Sequence, residues 1–156
     1  MYDSKQDTFA HINQVRNLLE EVQENLVLRK IRHDASKLET PEKEMYDEFT
    51  PKLKAMTYGS DEYKASLKEM GVALQHHYQV NSHHPEHFDS GISGMSLMDL
   101  LEMLADWKAA SLRHADGDIL KSLEINKKRF VMSDQLAEIF INTVREMGWS
   151  SSQSAG

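Results

Sequence analysis

Five of the eight histidines in the chain lie in one short stretch, QHHYQVNSHHPEHF, at residues 75–88. Imidazole and carboxylate groups bind divalent transition metals, and a harder ion such as Mn²⁺ is favoured where carboxylate and water dominate. Because the chain contains no cysteine, any metal must be held by histidine and carboxylate side chains. The stretch therefore predicts a metal site, although a plain polar loop could have the same composition.

Further histidines and aspartates lie on segments with helical periodicity. They are His11, the adjacent pair His33 and Asp34, and Asp106. Helix phase can turn most of them toward one interior, which is how helical bundles build metal sites. Asp106 lies within the apolar segment LLEMLADW, where a carboxylate is costly to bury without a cation or hydrogen-bond donors. The competing interpretations are a core histidine, a solvated aspartate and a salt bridge from Asp106 to Lys108 or Arg113.

Hydrophobic periodicity predicts three helices in the first 50 residues. The first begins after residue 7 or 8 and is amphipathic, with His11 on its buried stripe. The second covers residues 28–36. The third runs from 40 to 49, with Thr40 as its N-cap and Pro41 at its first position.

Four more helices are expected in the rest of the chain. Ser60 caps a helix that continues to His77, and its phase turns His77 inward and His76 about 100° away. Residues 81–94 show no periodicity, and loops of that length are usually functional or disordered. The last three helices are expected at 97–114, 119–130 and 134–147, with caps at Ser96 and Ser133, a DGD turn at 116–118 and a stop at Gly148.

These elements predict an all-α fold, a single compact bundle of about six or seven helices. One domain is expected over residues 1–149, followed by a flexible polar tail at 150–156. The net charge of −7 argues against a general binder of polymeric nucleic acid and against a membrane-surface protein. No apolar run approaches the roughly 20 residues needed to cross a bilayer, and a cytoplasmic location is expected.

The segment RHDASK, at residues 32–37, resembles the signature of the HD superfamily of metal-dependent phosphohydrolases. In that superfamily a His-Asp pair, an earlier His and a later Asp bind a catalytic metal inside an all-α bundle. HHPEHFDSG at 83–91 is similar to the HHExxDG stretch of the HD-GYP branch, and LADWKAA at 104–110 resembles the segment with the later Asp. The chain looks most like a small HD-like family common in bacteriophages, which implies a bacterial cell or a phage-infected host. The resemblance spans roughly residues 9–143.

The chain also departs from the HD-GYP branch. The GYP tripeptide is absent, so hydrolysis of cyclic di-GMP is not implied. Pro85 separates the histidine pair from Glu86, whereas the branch has Glu directly after its histidines. The number of metal ions, one or two, stays open.

The resemblance implies hydrolysis of a nucleotide or related phosphate ester by a water that a divalent metal (Mn, Co, Ni, Fe or Zn) activates. It implies that His11, His33, Asp34 and Asp106 bind this metal, while His77, His83 and His84 complete a second position or donate to phosphate. The proposed catalytic residues are Asp34, Lys37 and Glu86. The proposed substrate-binding residues are Lys37, His84, His87, Lys108 and Arg113.

Two other classes of function remain as alternatives. One is a di-iron oxygenase of the HD type, in which His77 and either His83 or His84 would complete the ligand set. The other is a non-enzymatic, metal-stabilised phage protein that binds a nucleotide or a host partner. The expected partner is a small phosphate-bearing molecule. Binding to polymeric nucleic acid or to a membrane is not expected, and a homodimer is possible.

Overall fold

The structure is a computed structural model that describes residues 2–57, 60–113 and 117–150. Within these ranges the chain forms seven α-helices and no strand, so the predicted all-α fold is confirmed. No helix in these ranges has both the length and the apolar character required to cross a membrane. The chain divides into two units, one ending at residue 35 and one beginning at residue 36, and the single-domain assignment over 1–149 stays a prediction.

The smaller unit is built on one long helix, α1 (Lys5–Arg32). The predicted start of a separate helix at residue 28 is wrong, because no Gly or Pro interrupts α1 there and it continues to Arg32. The predicted burial of His11 is also wrong. His11 is exposed and α1 has no buried residue, since hydrophobic spacing identifies the apolar face of a helix without requiring that another element cover it.

The His-Asp pair lies where α1 ends, not within a helix over 28–36 as predicted. His33 is the C-cap, and its backbone N–H donates to the carbonyl of Arg29 at 2.8 Å. Asp34 has a φ of 56°, in the left-handed region that aspartate tolerates better than most residues other than glycine. This backbone angle stops the helix, and a 3₁₀ turn follows at Ala35–Leu38.

Three helices open the larger unit: α2 (Glu42–Lys54), α3 (Asp61–Glu69) and α4 (Gly71–Val80). The predicted cap of α2 is wrong, because Pro41 and not Thr40 occupies the N-cap, and α2 continues five residues past 49. The cap of α3 is confirmed, since Ser60 Oγ accepts from the Tyr63 N–H at 3.1 Å. The single helix expected from Ser60 to His77 is two helices, because Gly71 adopts a φ of 38° that interrupts helical geometry.

The remaining helices are α5 (Leu97–Ser111), α6 (Ile119–Arg129) and α7 (Asp134–Glu146). Each begins with a side chain that caps it: Ser96, Asp118 and Ser133, of which the two serines were predicted. Gly148 has a φ of 67° just after α7, as expected for a helix stop. His114, Asp116 of the predicted turn and residues 151–156 of the predicted tail lie outside the described residues.

The hydrophobic core lies among α5, α6 and α7. Leu104, Ile119 and Val144 are almost completely buried there, and the Trp107 ring is parallel to that of Phe130 at 6.0 Å. Burial of each large apolar side chain contributes roughly 1.5–3 kcal/mol. This core fixes α5, whose adjacent face carries Asp99, Glu102 and Asp106 at spacings of three and four residues.

Candidate metal centre

Three imidazole rings lie together in the larger unit. They belong to His77 of α4 and to His83 and His84 of the loop that follows it. The His84 ring centroid is 4.7 Å from that of His77 and 4.2 Å from that of His83. One nitrogen from each ring lies within 4.8 Å of the others, so these three side chains form a group that could hold a metal ion. We call it the imidazole cluster.

The end of α4 brings the histidine pair back toward His77. Asn81 caps the helix, and its Nδ2 donates to the His77 carbonyl at 2.9 Å. The next residue, Ser82, donates from Oγ to Asp99 Oδ1 at 2.6 Å. Because Asp99 also accepts from Ser96 in the capping box of α5, the loop with His83 and His84 is tied to both helices.

Glu42 orients the first histidine of the cluster. It is fully buried at the start of α2, and its Oε2 lies 2.9 Å from Nδ1 of His77. A carboxylate oxygen accepts in this contact, so Nδ1 of His77 carries a proton, and in the neutral imidazole the lone pair is then on Nε2. Nε2 lies 2.9 Å from Nε2 of His84. Carboxylates hold metal-binding histidines in this way in known metal sites.

The same carboxylate contacts the neighbouring histidine. Glu42 Oε1 lies 2.7 Å from Nδ1 of His76, whose side chain is 37% exposed, while His77 is 1% exposed. The predicted difference between the two histidines, inward for His77 and outward for His76, is therefore confirmed. Sequence reasoning did not predict Glu42 as a partner of these histidines.

A second carboxylate orients His83. Glu102 of α5 has Oε1 3.2 Å from Nδ1 of His83, and the His83 side chain is buried. The same reasoning puts the proton on Nδ1 and the lone pair on Nε2. Glu102 was not predicted either, although its position four residues before Asp106 on one helix face was a usable signal.

His84 is neutral at neutral pH. Burial lowers the pKa of its imidazole to about 3, the neighbouring imidazoles of His83 and His77 act in the same direction, and the Asp106 carboxylate opposes them. The charge of Lys37 lowers the pKa of His84 as well, so both Asp106 and Lys37 lie close enough to act on the cluster. A neutral imidazole can bind a metal, whereas an imidazolium cannot.

Lys37 lies against an aromatic ring of α2. Its Nζ is 5.0 Å from the ring centroid of Tyr46, a distance that allows a cation–π interaction, and the side chain is half-buried. The Tyr46 ring in turn lies edge-on to His77, with centroids 6.0 Å apart. The ammonium group is thus held near the imidazole cluster.

In the smaller unit, His33 and Asp34 are adjacent and half-buried. His33 Nε2 lies 3.6 Å from Asp34 Oδ2. One imidazole and one carboxylate at this separation provide two metal-binding side chains on a single stretch of backbone.

Two predicted residues of the histidine-rich stretch make contacts away from the imidazole rings. Glu86 Oε1 accepts from Arg129 Nη2 at 2.7 Å, an ion pair at the end of α6. His87 is exposed, and its Nδ1 donates to the Tyr78 carbonyl at 2.9 Å. These contacts hold the loop, and the catalytic role of Glu86 and the substrate-binding role of His87 stay predictions.

Two predicted phosphate-binding residues also lie elsewhere. Lys108 donates from Nζ to the Trp149 carbonyl at 2.9 Å, so its ammonium group is directed to the end of α7. Arg113 is exposed beyond the end of α5, because the helix stops at Ser111 and not at residue 114 as predicted. The predicted position of Arg113 within that helix is therefore wrong.

A family model matches residues 1–146, nearly the whole chain, and its description is a family of unknown function, DUF5662. Comparisons with curated proteins and with solved structures give no match. The functional interpretation therefore depends on the side chains themselves.

Proposed function

Because the chain belongs to the DUF5662 family, whose function is unknown, we propose from its side-chain chemistry that it is a metal-dependent phosphohydrolase. The supporting observation is the imidazole cluster, in which carboxylates at Nδ1 of His77 and His83 leave the Nε2 lone pairs for a metal. The substrate class we favour is a small phosphate ester, with a nucleotide as the first choice. The resemblance to the HD superfamily supports both the activity and the substrate class.

The donor set fits a transition metal. Three neighbouring imidazoles suit Zn²⁺, Co²⁺, Ni²⁺ or Fe²⁺, whereas Ca²⁺ and Mg²⁺ prefer sites made of oxygen, and Mn²⁺ prefers sites where carboxylate and water dominate. His77, His83 and His84 would hold one ion. The HD resemblance adds His11, His33, Asp34 and Asp106 as proposed ligands. The number of bound ions is then one or two.

The chain's own residues would perform the remaining tasks. A bound metal supplies Lewis acidity toward a phosphoryl oxygen and toward water. Lys37 brings a positive charge to the cluster of a chain whose net charge is −7, and we assign it to the phosphate oxygens of the substrate. Glu42 and Glu102 would keep two of the imidazoles in one orientation and one tautomer.

The decisive experiment combines metal analysis with an activity screen. The purified protein is loaded with Mn²⁺, Co²⁺ or Ni²⁺ and assayed for phosphate release from a panel of nucleotides. We expect His84→Ala and Asp34→Ala to abolish release. The matched control is Asp89→Ala, because Asp89 is an exposed acidic residue of the histidine loop and is not a proposed site residue. Activity that persists in both test variants would refute the proposal.

Metal analysis also distinguishes the alternatives. Stoichiometric iron with oxygen-dependent turnover would favour a di-iron oxygenase. If metal raises the stability of the wild-type protein but no nucleotide releases phosphate, the non-enzymatic binding protein would be favoured.

A further inference from the structure

A second concave site lies in the larger unit, built by residues that take no part in the imidazole cluster. It is a cavity of about 440 Å³, within the range of about 300–1,000 Å³ typical of small-molecule sites. Its walls come from three places: residues 54–57 at the end of α2, residues 110–111 at the end of α5, and residues 117–125 at the start of α6.

The walls carry positive charge. Lys54 and Lys121 both line the cavity, and in the described ranges neither ammonium group forms an ion pair. Asp118 is the one carboxylate among the described lining residues, and its Oδ1 already accepts from the Leu120 N–H at 2.8 Å as the cap of α6. In a chain with a net charge of −7, two lysines at one concavity that form no ion pair with a described residue favour an anionic ligand.

A hydroxyl group lies in the same wall. Ser122 lines the cavity, and its Oγ accepts from Nδ2 of Asn126 at 3.3 Å. Asn126 is 1% exposed, so the donor to this serine is fixed in the interior. Because the serine oxygen is the acceptor in that bond, its own hydrogen can be donated to an anion in the cavity.

The lining also contains two more hydroxyl side chains, Thr57 and Ser111, and several apolar ones. Met56 and Ile125 contribute the larger apolar side chains, and Ala55 and Ala110 are small enough to leave room beside them. An inorganic ion would leave this surface without contacts, whereas an organic group would cover it. We propose that the cavity binds a small organic anion, whose phosphate or carboxylate group is held by Lys54, Lys121 and Ser122 and whose apolar body contacts Met56 and Ile125.

This site is independent of the proposed hydrolase activity. Ala110, in the cavity wall, follows Asp106 by four residues, so the cavity begins one helical turn of α5 beyond that acidic residue. No lining residue is a proposed metal ligand or orients one. Binding can therefore be measured whether or not the imidazole cluster holds a metal.

The test is a titration of the full-length ¹⁵N-labelled protein, followed by NMR. Benzylphosphonate and benzoate present the two kinds of anionic group on an apolar ring, and neither is a phosphate ester that could be hydrolysed. Benzyl alcohol has the ring without the charge, and inorganic phosphate has the charge without the ring. We expect saturable shifts at the amides of Ser122 and Ile125 with at least one of the ring-bearing anions, and much weaker binding of the two control compounds.

Substitutions locate the site. Lys121→Gln and Lys54→Gln should each weaken the binding of the ring-bearing anion about tenfold, since each removes a hydrogen bond to a charged group. Lys128→Gln is the matched control, because Lys128 is an exposed lysine of the same helix that does not line the cavity. Both cavity lysines are exposed, and the amide spectrum of each variant verifies its fold.

Three results would overturn the proposal. The first is that the ring-bearing anions bind with the same affinity to the wild-type protein and to the variant in which both Lys54 and Lys121 are replaced. The second is benzyl alcohol binding as tightly as the anions. The third is shifts confined to His83 and His84, which would locate the anion at the imidazole cluster instead.

Discussion

Glu42 Oε2 lies 2.9 Å from Nδ1 of His77, and both side chains are buried. Replacing this carboxylate by an amide in Glu42→Gln keeps the shape but removes the charge that holds the proton on Nδ1. Loss of such a partner typically costs about 10–100-fold in metal affinity. We expect a loss of that size for Co²⁺ or Zn²⁺ in competition titrations with a chelating dye.

Glu44→Gln is the matched control for this substitution. Glu44 lies one half-turn further along α2 and is exposed, with its Oε1 accepting from Thr40 Oγ1. Its substitution should leave the metal affinity within about twofold of wild type, since surface charges have weak effects. Equal affinities for Glu42→Gln and wild type would show that Glu42 does not position a ligand.

The low pKa of His84 predicts a stability that depends on pH. The folded protein holds this imidazole with a pKa of about 3, whereas the ordinary value is 6.5. Between these pH values the unfolded chain binds the proton more strongly, so the free energy of unfolding falls as the pH falls from 6.5 toward 3. Urea unfolding of metal-free protein at several pH values measures this slope.

The contribution of His84 to this pH dependence is obtained by comparing the wild-type protein with a variant that lacks the imidazole. His84→Asn should unfold with a smaller pH slope over that range, while His87→Asn, in the same loop but exposed, should keep the wild-type slope. Identical slopes in all three proteins would contradict burial of a neutral His84.

Asp99 links the fold to the imidazole cluster. It accepts from Ser82 Oγ at the start of the histidine loop and from Ser96 at the start of α5. Asp99→Ala should cost about 1–3 kcal/mol in the free energy of unfolding, because a helix cap and a buried hydrogen bond are lost together. It should also weaken metal binding, since the loop with His83 and His84 loses its link to α5.

Ser133→Ala provides the comparison for Asp99→Ala. Ser133 caps α7 by accepting from the Leu136 N–H at 3.2 Å. Loss of this cap should lower the free energy of unfolding by about 1 kcal/mol. The metal affinity of the Ser133→Ala variant should stay at the wild-type value. If both variants bind metal equally well, the loop does not depend on Asp99.

Glu86→Gln separates two roles for the acidic residue of the histidine loop. A general acid or base contributes about 10²–10⁴-fold to a rate, whereas an exposed ion pair contributes only about 0–1 kcal/mol to stability. Because Glu86 pairs with Arg129, we expect Glu86→Gln to keep the rate of phosphate release within a few-fold of wild type. A hundredfold loss of kcat would instead support the predicted catalytic role of Glu86.

Helix phase and capping signals predicted a large part of the fold from local sequence. Ser60, Ser96 and Ser133 each cap the helix that was expected to follow. The opposite exposure of His76 and His77 followed from a 100° step around one helix. These features depend on residues within a turn or two of one another, so a single sequence contains them.

Features that depend on tertiary contacts were not predictable in this way. Glu42 is separated from His77 by 35 residues, and nothing in the periodicity of α2 indicates which carboxylate will meet an imidazole. The interruption at Gly71 was missed because apolar spacing continues across it, and only the backbone angle distinguishes two helices from one. Arg113 was misplaced because the stretch after Ser111 has no strong stop signal, so the helix end could not be located.

The lack of any buried residue in α1 has a consequence for local unfolding. Its 28 residues keep their backbone hydrogen bonds mainly through helix propensity, because none of its side chains is buried. Amide protons of α1 should therefore exchange with solvent much faster than those around Leu104 and Val144, whose opening requires loss of the core. Native-state hydrogen exchange should then resolve two opening reactions in this chain, with the helix melting well below the free energy at which the larger unit unfolds.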